Sequence, residues 1–152
     1  MEWVVKTFNE LSNEELYAIM KTRVDIFVVE QECPYPELDN YDQQAIHFFL
    51  KINEEIAANV RLLPNGSKYE EASIGRVLVA KKFRGQGYAG QIMQKAIDFL
   101  VNEWNEKRIK IQGQEYLKKF YSGLGFKQIS ESYLEDDIPH IDMIWDYNAN
   151  KR

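Results

Sequence analysis

The chain has 152 residues, of which 45% are hydrophobic and 28% are charged, and its formal net charge is -5. This composition is typical of a soluble globular protein, and we expect one domain over residues 1–152 with one core. The negative charge argues against nucleic-acid binding, while the lack of an apolar run of about 20 residues or a basic leader predicts a cytoplasmic protein without a membrane span.

The N-terminal third of the chain predicts a strand, a helix and a loop. Residues 2–8, EWVVKTF, alternate like a strand, and Ser12 with Glu15 forms a capping-box pattern that begins a helix within residues 10–31. One face of that helix is apolar, through Leu16, Ile19, Met20, Val24 and Phe27. Residues 32–45 contain two prolines and several acids, which predicts a long loop.

The middle of the chain predicts a hairpin, a further strand and a second helix. Residues 46–64 read as two strands with a turn near Asn53, and residues 73–83 read as the next strand. Residues 90–107 have helical spacing of their apolar side chains, namely Ile92, Met93, Ala96, Ile97, Leu100, Val101 and Trp104.

The last third predicts shorter elements. Residues 108–113 read as a strand, residues 114–125 as a short helix that ends at glycine, and residues 126–147 as two strands joined by an acidic turn. The resulting order, β-α-β-β-β-α-β-α-β-β, predicts a mixed α/β or α+β fold.

Three glycines lie where the fourth predicted strand, residues 73–83, is followed by the second predicted helix. Gly85, Gly87 and Gly90 would let the backbone approach a ligand closely, and the free N–H groups of a helix N-terminus bind anions. The pattern therefore favours a phosphate or pyrophosphate site to which Arg84 adds a charge. GQGYAG also fits the dinucleotide pattern, but the residue after the next strand is Gln112 and not an acid. A plain tight turn is the structural alternative.

Two motifs resemble those of a known family. RGQGYA, residues 84–89, is similar to the R/Q-x-x-G-x-G/A signature of the GNAT acyl-CoA-dependent N-acyltransferases, and FYSGLGF, residues 120–126, is similar to their Tyr-x-x-x-Gly-Phe pattern. Residues 23–42 and 133–143 resemble the ElaA-like branch, so the resemblance extends over nearly the whole chain.

The resemblance implies a GNAT-type fold, a mixed twisted sheet flanked by helices with splayed central strands, and acetyl-CoA as the cofactor. Its pyrophosphate would bind the turn formed by Arg84, Gly85, Gln86, Gly87, Tyr88, Ala89 and Gly90. Its pantetheine would lie along Val77, Leu78 and Val79, where splaying leaves backbone groups free, and one freed N–H could stabilise an oxyanion.

The resemblance also implies catalytic roles. Tyr121 matches the family's tyrosine and would contact the cofactor and act as general acid, although a core aromatic is the alternative. A base is needed to deprotonate the amine, and the candidates are Glu30, which closes the first helix, and His140. Glu30, His47 and His140 are also the candidate acceptor-binding residues, with a solvated charge and structural histidines as alternatives.

The acceptor and partners are less closely specified. Two acidic loops, PELDNYD and LEDDIPH, predict a carboxylate-lined mouth for a small primary amine or peptide. Asp39, Asp42 and His47 match no metal-binding pattern, and the lone Cys33 excludes a thiolate cluster, so we expect no metal. The apolar strand HIDMIWDY favours a homodimer, and an acyl-CoA sensor without turnover is the alternative function.

Overall fold

The computed structural model describes residues 1–151 and has a mixed sheet flanked by helices. Its strands are β1 Glu2–Thr7, β2 Ile46–Ile52, β3 Glu55–Leu63, β4 Ala72–Val79, β5 Arg108–Gln114, β6 Phe126–Gln128, β7 Tyr133–Glu135 and β8 Ile138–Asp146. Its α-helices are α1 Asn13–Val24, α2 Tyr88–Asn102, α3 Lys118–Gly123 and α4 Tyr147–Asn150, and a π-helix, Asp25–Glu30, extends α1.

The predicted start of α1 is confirmed in detail. The Ser12 hydroxyl accepts a hydrogen bond from the Glu15 N–H at 3.0 Å, and the Glu15 carboxylate accepts one from the Ser12 N–H at 2.8 Å. The predicted face is confirmed at Ile19, which is buried with Met20 packed against its cluster, but the other fully buried position of α1 is Arg23, which was not predicted. An arginine takes a core position because carboxylates from a distant loop meet it there.

The strand order is β1-β2-β3-β4-β5-β8-β6, with β7 paired to β8. All pairs are antiparallel except β4 with β5, which are joined through the α2 crossover. The last segment contains three strands and not the two predicted, since β6 is only three residues long and carries little pattern. The acidic turn is confirmed at Asp136 and Asp137, both at positive φ.

The sheet buries both faces because its side chains alternate. Phe48 and Leu50 of β2 point into the core formed with α2, whereas Phe49 packs against Ile19 of α1. The predicted apolar face of α2 supplies the buried side chains Ile92, Met93, Ala96, Ile97 and Leu100. Each large aliphatic side chain that is fully buried stabilises the fold by about 1.5–3 kcal/mol.

The C-terminal strand β8 lies inside the sheet, between β5 and β6. Its apolar side chains Ile141, Met143, Ile144 and Trp145 are buried in the same chain, so they are not the exposed dimer surface that the sequence favoured. Along residues 1–151, none of the helices has the length and apolar character that crossing a membrane requires.

Candidate active site

A cleft of about 780 Å³ opens where β4 and β5 separate. The two strands pair only at Ala72 with Ile109 and at Ser73 with Lys110, and beyond these residues they diverge. Divergence leaves backbone donors and acceptors without strand partners, and a ligand with amide groups can satisfy them. The splayed central strands that the resemblance implied are therefore present, and Val77, Leu78 and Val79 line the gap.

A β-bulge interrupts β4 at the mouth of this gap. The pairing with β3 shifts by one residue between Asn59 opposite Leu78 and Arg61 opposite Gly75. Arg76 lies in the bulge and has a φ of 51°, which is uncommon for a residue with a side chain. A bulge leaves its extra residue outside the regular ladder, and the Arg76 carbonyl accepts a hydrogen bond from the Asn59 side chain at 3.3 Å.

The glycine turn lies at the other end of the cleft and leads directly into the N-terminus of α2. Gly85 and Gly87 have φ values of 80° and 82°, which glycine adopts without strain. Gly87 is the N-cap residue of α2, and a Cβ built at either glycine would meet no atom within 4 Å. Open space in front of free helix N–H groups fits an anionic group such as a pyrophosphate.

Most residues of the predicted turn line the cleft. Arg84, Gly85, Gly87, Tyr88 and Ala89 do so, whereas Gln86 and Gly90 are not part of its lining. The motif alone does not show which residues of the turn face the cleft, because that depends on how the folded turn is oriented.

Arg84 is held in the cleft by the protein itself. Its Nε donates to the Val79 carbonyl at 2.9 Å, and its Nη2 lies 2.9 Å from Oε2 of Glu30. Both side chains are about two-fifths exposed, with 42% for Arg84 and 40% for Glu30. An ion pair this exposed is weak, so a phosphate could replace Glu30 at the guanidinium.

Tyr121 lies in the wall of the cleft on α3, with only 5% of its surface exposed. Its ring packs so closely on β5 that a Cβ at Gly113 would come within 2.9 Å of it. Burial raises the pKa of Tyr121 to about 12. The phenol is therefore protonated at neutral pH and has a proton to give.

His140 lines the same cleft from β8. Its Nδ1 lies 2.7 Å from the Ile138 carbonyl, which can only accept, so Nδ1 carries the proton. In the neutral form of the ring, that arrangement places the lone pair that a general base requires on Nε2. The ring of Tyr133 stacks on the imidazole at 6.4 Å between ring centroids.

His47 lies elsewhere, and its predicted contact with the acceptor is not supported. It is fully buried on β2, does not line the cleft, and donates from Nε2 to the Asp42 carbonyl at 2.9 Å. Burial lowers its pKa, so the ring is neutral and structural. His47 lies in an apolar strand, and an apolar strand pattern does not show whether a side chain faces the cleft or the core.

Buried ion pairs anchor the acidic loop between the π-helix and β2. Arg23 is completely buried, and it donates from Nε to Glu37 at 2.7 Å and from Nη1 to Asp42 at 2.6 Å. Tyr35 donates a further hydrogen bond to the Glu37 carboxylate. These contacts hold the loop against α1, where it forms one wall of the cleft.

Two further arginines neutralise the same loop. Arg61 of β3 donates to both oxygens of Asp39 at 2.8 and 2.9 Å, and Arg76 donates to the Glu37 carbonyl at 2.9 Å and to Asp39 at 3.2 Å. Burial raises the pKa of Asp39, but Arg61 and then Arg76 outweigh it and lower the pKa to about 2. The predicted mouth of free carboxylates is therefore wrong for this loop.

Comparison with known proteins agrees with this geometry. The sequence profile described as an acetyltransferase (GNAT) domain matches residues 7–147. A UPF0039 protein of Schizosaccharomyces pombe is 39% identical over 145 residues, which cover 94% of this chain and 95% of that protein. Protein ElaA of Escherichia coli is 37% identical over 145 residues, with the same coverage of 94% and 95%.

Solved structures show the same fold. The crystal structure of an acyl-CoA N-acyltransferase from Pseudomonas aeruginosa has a TM-score of 0.90 and 36% identity, covering 95% of this chain and 98% of that one. The crystal structure of Escherichia coli ElaA also has a TM-score of 0.90 and 36% identity, covering 96% and 100%. The chain therefore belongs to the GNAT family of acetyltransferases, within its ElaA-like branch.

Proposed function

We propose that this protein transfers an acetyl group from acetyl-CoA to the primary amine of a small molecule or peptide, by direct attack. The observation that carries the proposal is the continuity of one cleft, which joins the glycine turn, the gap between β4 and β5, and Tyr121. When bound, acetyl-CoA supplies an acetyl thioester as the electrophile and leaves as the free thiol. The 36% identical acyl-CoA N-acyltransferase from Pseudomonas aeruginosa supports a donor of this class.

The cofactor-binding residues divide between the two ends of the cleft. The backbone N–H groups of the turn from Arg84 to Gly90 bind the pyrophosphate, where positive potential from the α2 dipole adds to the charge of Arg84. The backbone of Val77, Leu78 and Val79 binds the pantetheine amides. A backbone N–H near the bulge at Arg76 stabilises the developing oxyanion, since the bulge removes it from the β-ladder.

Tyr121 acts as the general acid. Its phenol would supply the proton that the departing thiol group of acetyl-CoA requires. With a pKa of about 12, the phenol remains protonated throughout the physiological range. Its packing against Gly113 fixes the ring beside the strand where the gap begins to widen.

His140 is a better base than Glu30. The sequence also predicts Glu30 as a candidate, but its carboxylate lies 2.9 Å from the guanidinium of Arg84, beside the turn where the pyrophosphate is proposed to bind. His140 instead lines the cleft with Nδ1 directed at the Ile138 carbonyl, so the neutral ring would accept a proton at Nε2. His140 accepts the proton that the amine loses, directly or through water, and Glu30 orients Arg84 until the cofactor binds.

A free-thiol assay tests the proposal. The protein is incubated with acetyl-CoA and a panel of amino acids, simple amines, amino sugars and peptides, and thiol release is measured. A thermal-shift panel runs beside it, in which CoA at 100 times its Kd stabilises the protein by about 2.7 kcal/mol and NAD or ATP does not.

The two measurements separate the alternatives. Thiol release that depends on an amine supports the enzyme. A CoA shift without release on any amine would instead favour the acyl-CoA sensor, and a shift with NAD or ATP in place of CoA would contradict the cofactor assignment.

A further inference from the structure

Most charged side chains that line the cleft are already paired within the protein. Glu30 binds Arg84, and Asp39 binds Arg61 and Arg76. Within the described chain, the lining charges that have no oppositely charged group within 4.0 Å are Lys68, Glu135 and Asp136. The cleft therefore has solvent-exposed charges of both signs on its wall that are available to a ligand.

Lys68 is a partly exposed cation on the cleft wall, where it is available to an anion. Its Nζ lies 5.7 Å from the ring centroid of Tyr41 and 5.6 Å from that of Tyr69, so two aromatic faces hold the ammonium in place without neutralising it. Burial lowers the pKa of Lys68, and the charges of Arg76 and Arg61 lower it further. Such surroundings favour an incoming negative group.

The opposite charge lies on the β7–β8 hairpin. Tyr133 is opposite His140, and Glu135 is opposite Ile138, so these four side chains share one face of the hairpin. Glu135, Ile138 and His140 all line the cleft. The Glu135 carboxylate thus lies on the same face as the proposed base, where it attracts the ammonium that the base must deprotonate.

Lys68 and Glu135 line the same cleft but are not in contact. No ion pair of 4.0 Å or less joins these two described side chains. Opposite charges held apart in one cleft are complementary to a ligand that has both. A diamine would leave Lys68 unpaired and would bring a second cation towards it. The repulsion between the two cations would weaken the binding of the diamine.

We infer that the acceptor is a zwitterion, a primary amine that also carries an acidic group, and that Lys68 binds the acidic group while the amine lies at Glu135 and His140. Free amino acids are the simplest compounds of this class. The inference rests on the proposed function and specifies the substrate class of the same site.

The test compares amino acids with their decarboxylated counterparts, such as alanine with ethylamine and phenylalanine with phenethylamine. For each pair kcat/KM is measured by thiol release and corrected for the fraction of amine that is deprotonated at the assay pH. The wild-type protein should prefer the amino acid by about 10- to 100-fold, the range for one charge-assisted hydrogen bond. Lys68→Met keeps the apolar stem and should remove the preference, whereas Lys68→Arg should retain it.

Lys110→Met is the matched control. Lys110 lies over the same Tyr69 ring, at 4.5 Å from its centroid, but it is outside the cleft and faces Asp142 at 3.7 Å. This variant should keep the preference for amino acids. A CoA thermal shift equal to that of the wild type shows that each variant is folded.

The outcomes distinguish this inference from the proposed function. Loss of the preference in Lys68→Met alone supports the zwitterion site. Equal rates on the two members of a pair, a preference for the decarboxylated amine, or an unchanged preference in Lys68→Met would overturn the zwitterion site and leave the enzyme standing. No thiol release from any acceptor would overturn the proposed function, and the inference with it.

Discussion

At the scale of single residues, Gly87 has a conformation that side chains rarely adopt, in front of the α2 N-terminus. Gly87→Val places a branched side chain in the space where the pyrophosphate is proposed to bind. We expect CoA binding to be abolished, as measured by isothermal titration calorimetry. The substitution also strains the backbone, at a cost of about 1–3 kcal/mol, so a control for strain is required.

Gly66→Val provides that control. Gly66 has a φ of 74°, and a Cβ built there also meets no atom within 4 Å, but the residue does not line the cleft. The control should lose similar stability and keep CoA binding. Equal CoA affinity in the two folded variants would rule out the glycine turn as the pyrophosphate site.

Tyr121 is tested by removing one oxygen atom. Tyr121→Phe keeps the ring that packs on Gly113 and removes the phenol proton. We expect kcat to fall by about 10²–10⁴-fold, the usual effect of losing a general acid, with little change in the Kd of CoA. A variant with unchanged kcat under single-turnover conditions would show that the phenol takes no part in the chemistry.

The pH dependence of the wild type follows from the same pKa. Burial raises the pKa of Tyr121 from its ordinary value of 10.0 to about 12, so the acid form persists as the pH rises through 10.0. Between about pH 9 and about pH 10.5, kcat should not fall, whereas an ordinary tyrosine would lose its proton in that range. A decline centred near pH 10 would contradict the raised pKa.

At the scale of elements, the acidic loop depends on arginines from three separate elements, namely Arg23 of α1, Arg61 of β3 and Arg76 of β4. Arg23→Met removes the completely buried one and leaves Glu37 and Asp42 less compensated. We expect the free energy of unfolding, from urea denaturation, to fall by about 3–5 kcal/mol, the cost of breaking a buried ion pair.

Lys21→Met is the control on the same helix. Lys21 forms an exposed pair with Asp25 at 2.7 Å, and such pairs contribute only about 0.3–0.5 kcal/mol. A loss of similar size in both variants would mean that the buried network does not stabilise the loop.

At the scale of the whole molecule, the C-terminal strand β8, whose apolar sequence predicts a dimer surface, lies inside the sheet of its own chain. The apolar side chains of β8 face the core, so a homodimer has no support from that strand. The acidic loop between the π-helix and β2 is less negative than its sequence suggests, because Glu37, Asp39 and Asp42 are each paired with arginine.

The sequence by itself determined the elements whose patterns are local. The capping box at Ser12, the apolar face of α2, the glycine turn and the motif around Tyr121 each lie within a few consecutive turns or residues, and the structure contains them. Propensity, capping and periodicity depend on near neighbours, so they are readable without the fold.

Only the tertiary structure decided how distant charges meet. Arg23 is separated by 14 residues from Glu37, and Arg76 by 39, yet both bind the same carboxylate. The same folding pairs Glu30 with Arg84, buries His47 away from the cleft, and brings Lys68 and Glu135 to the wall of one cleft. Charge pairing depends on distance in space and on burial, and neither quantity is fixed by the order of residues along the chain.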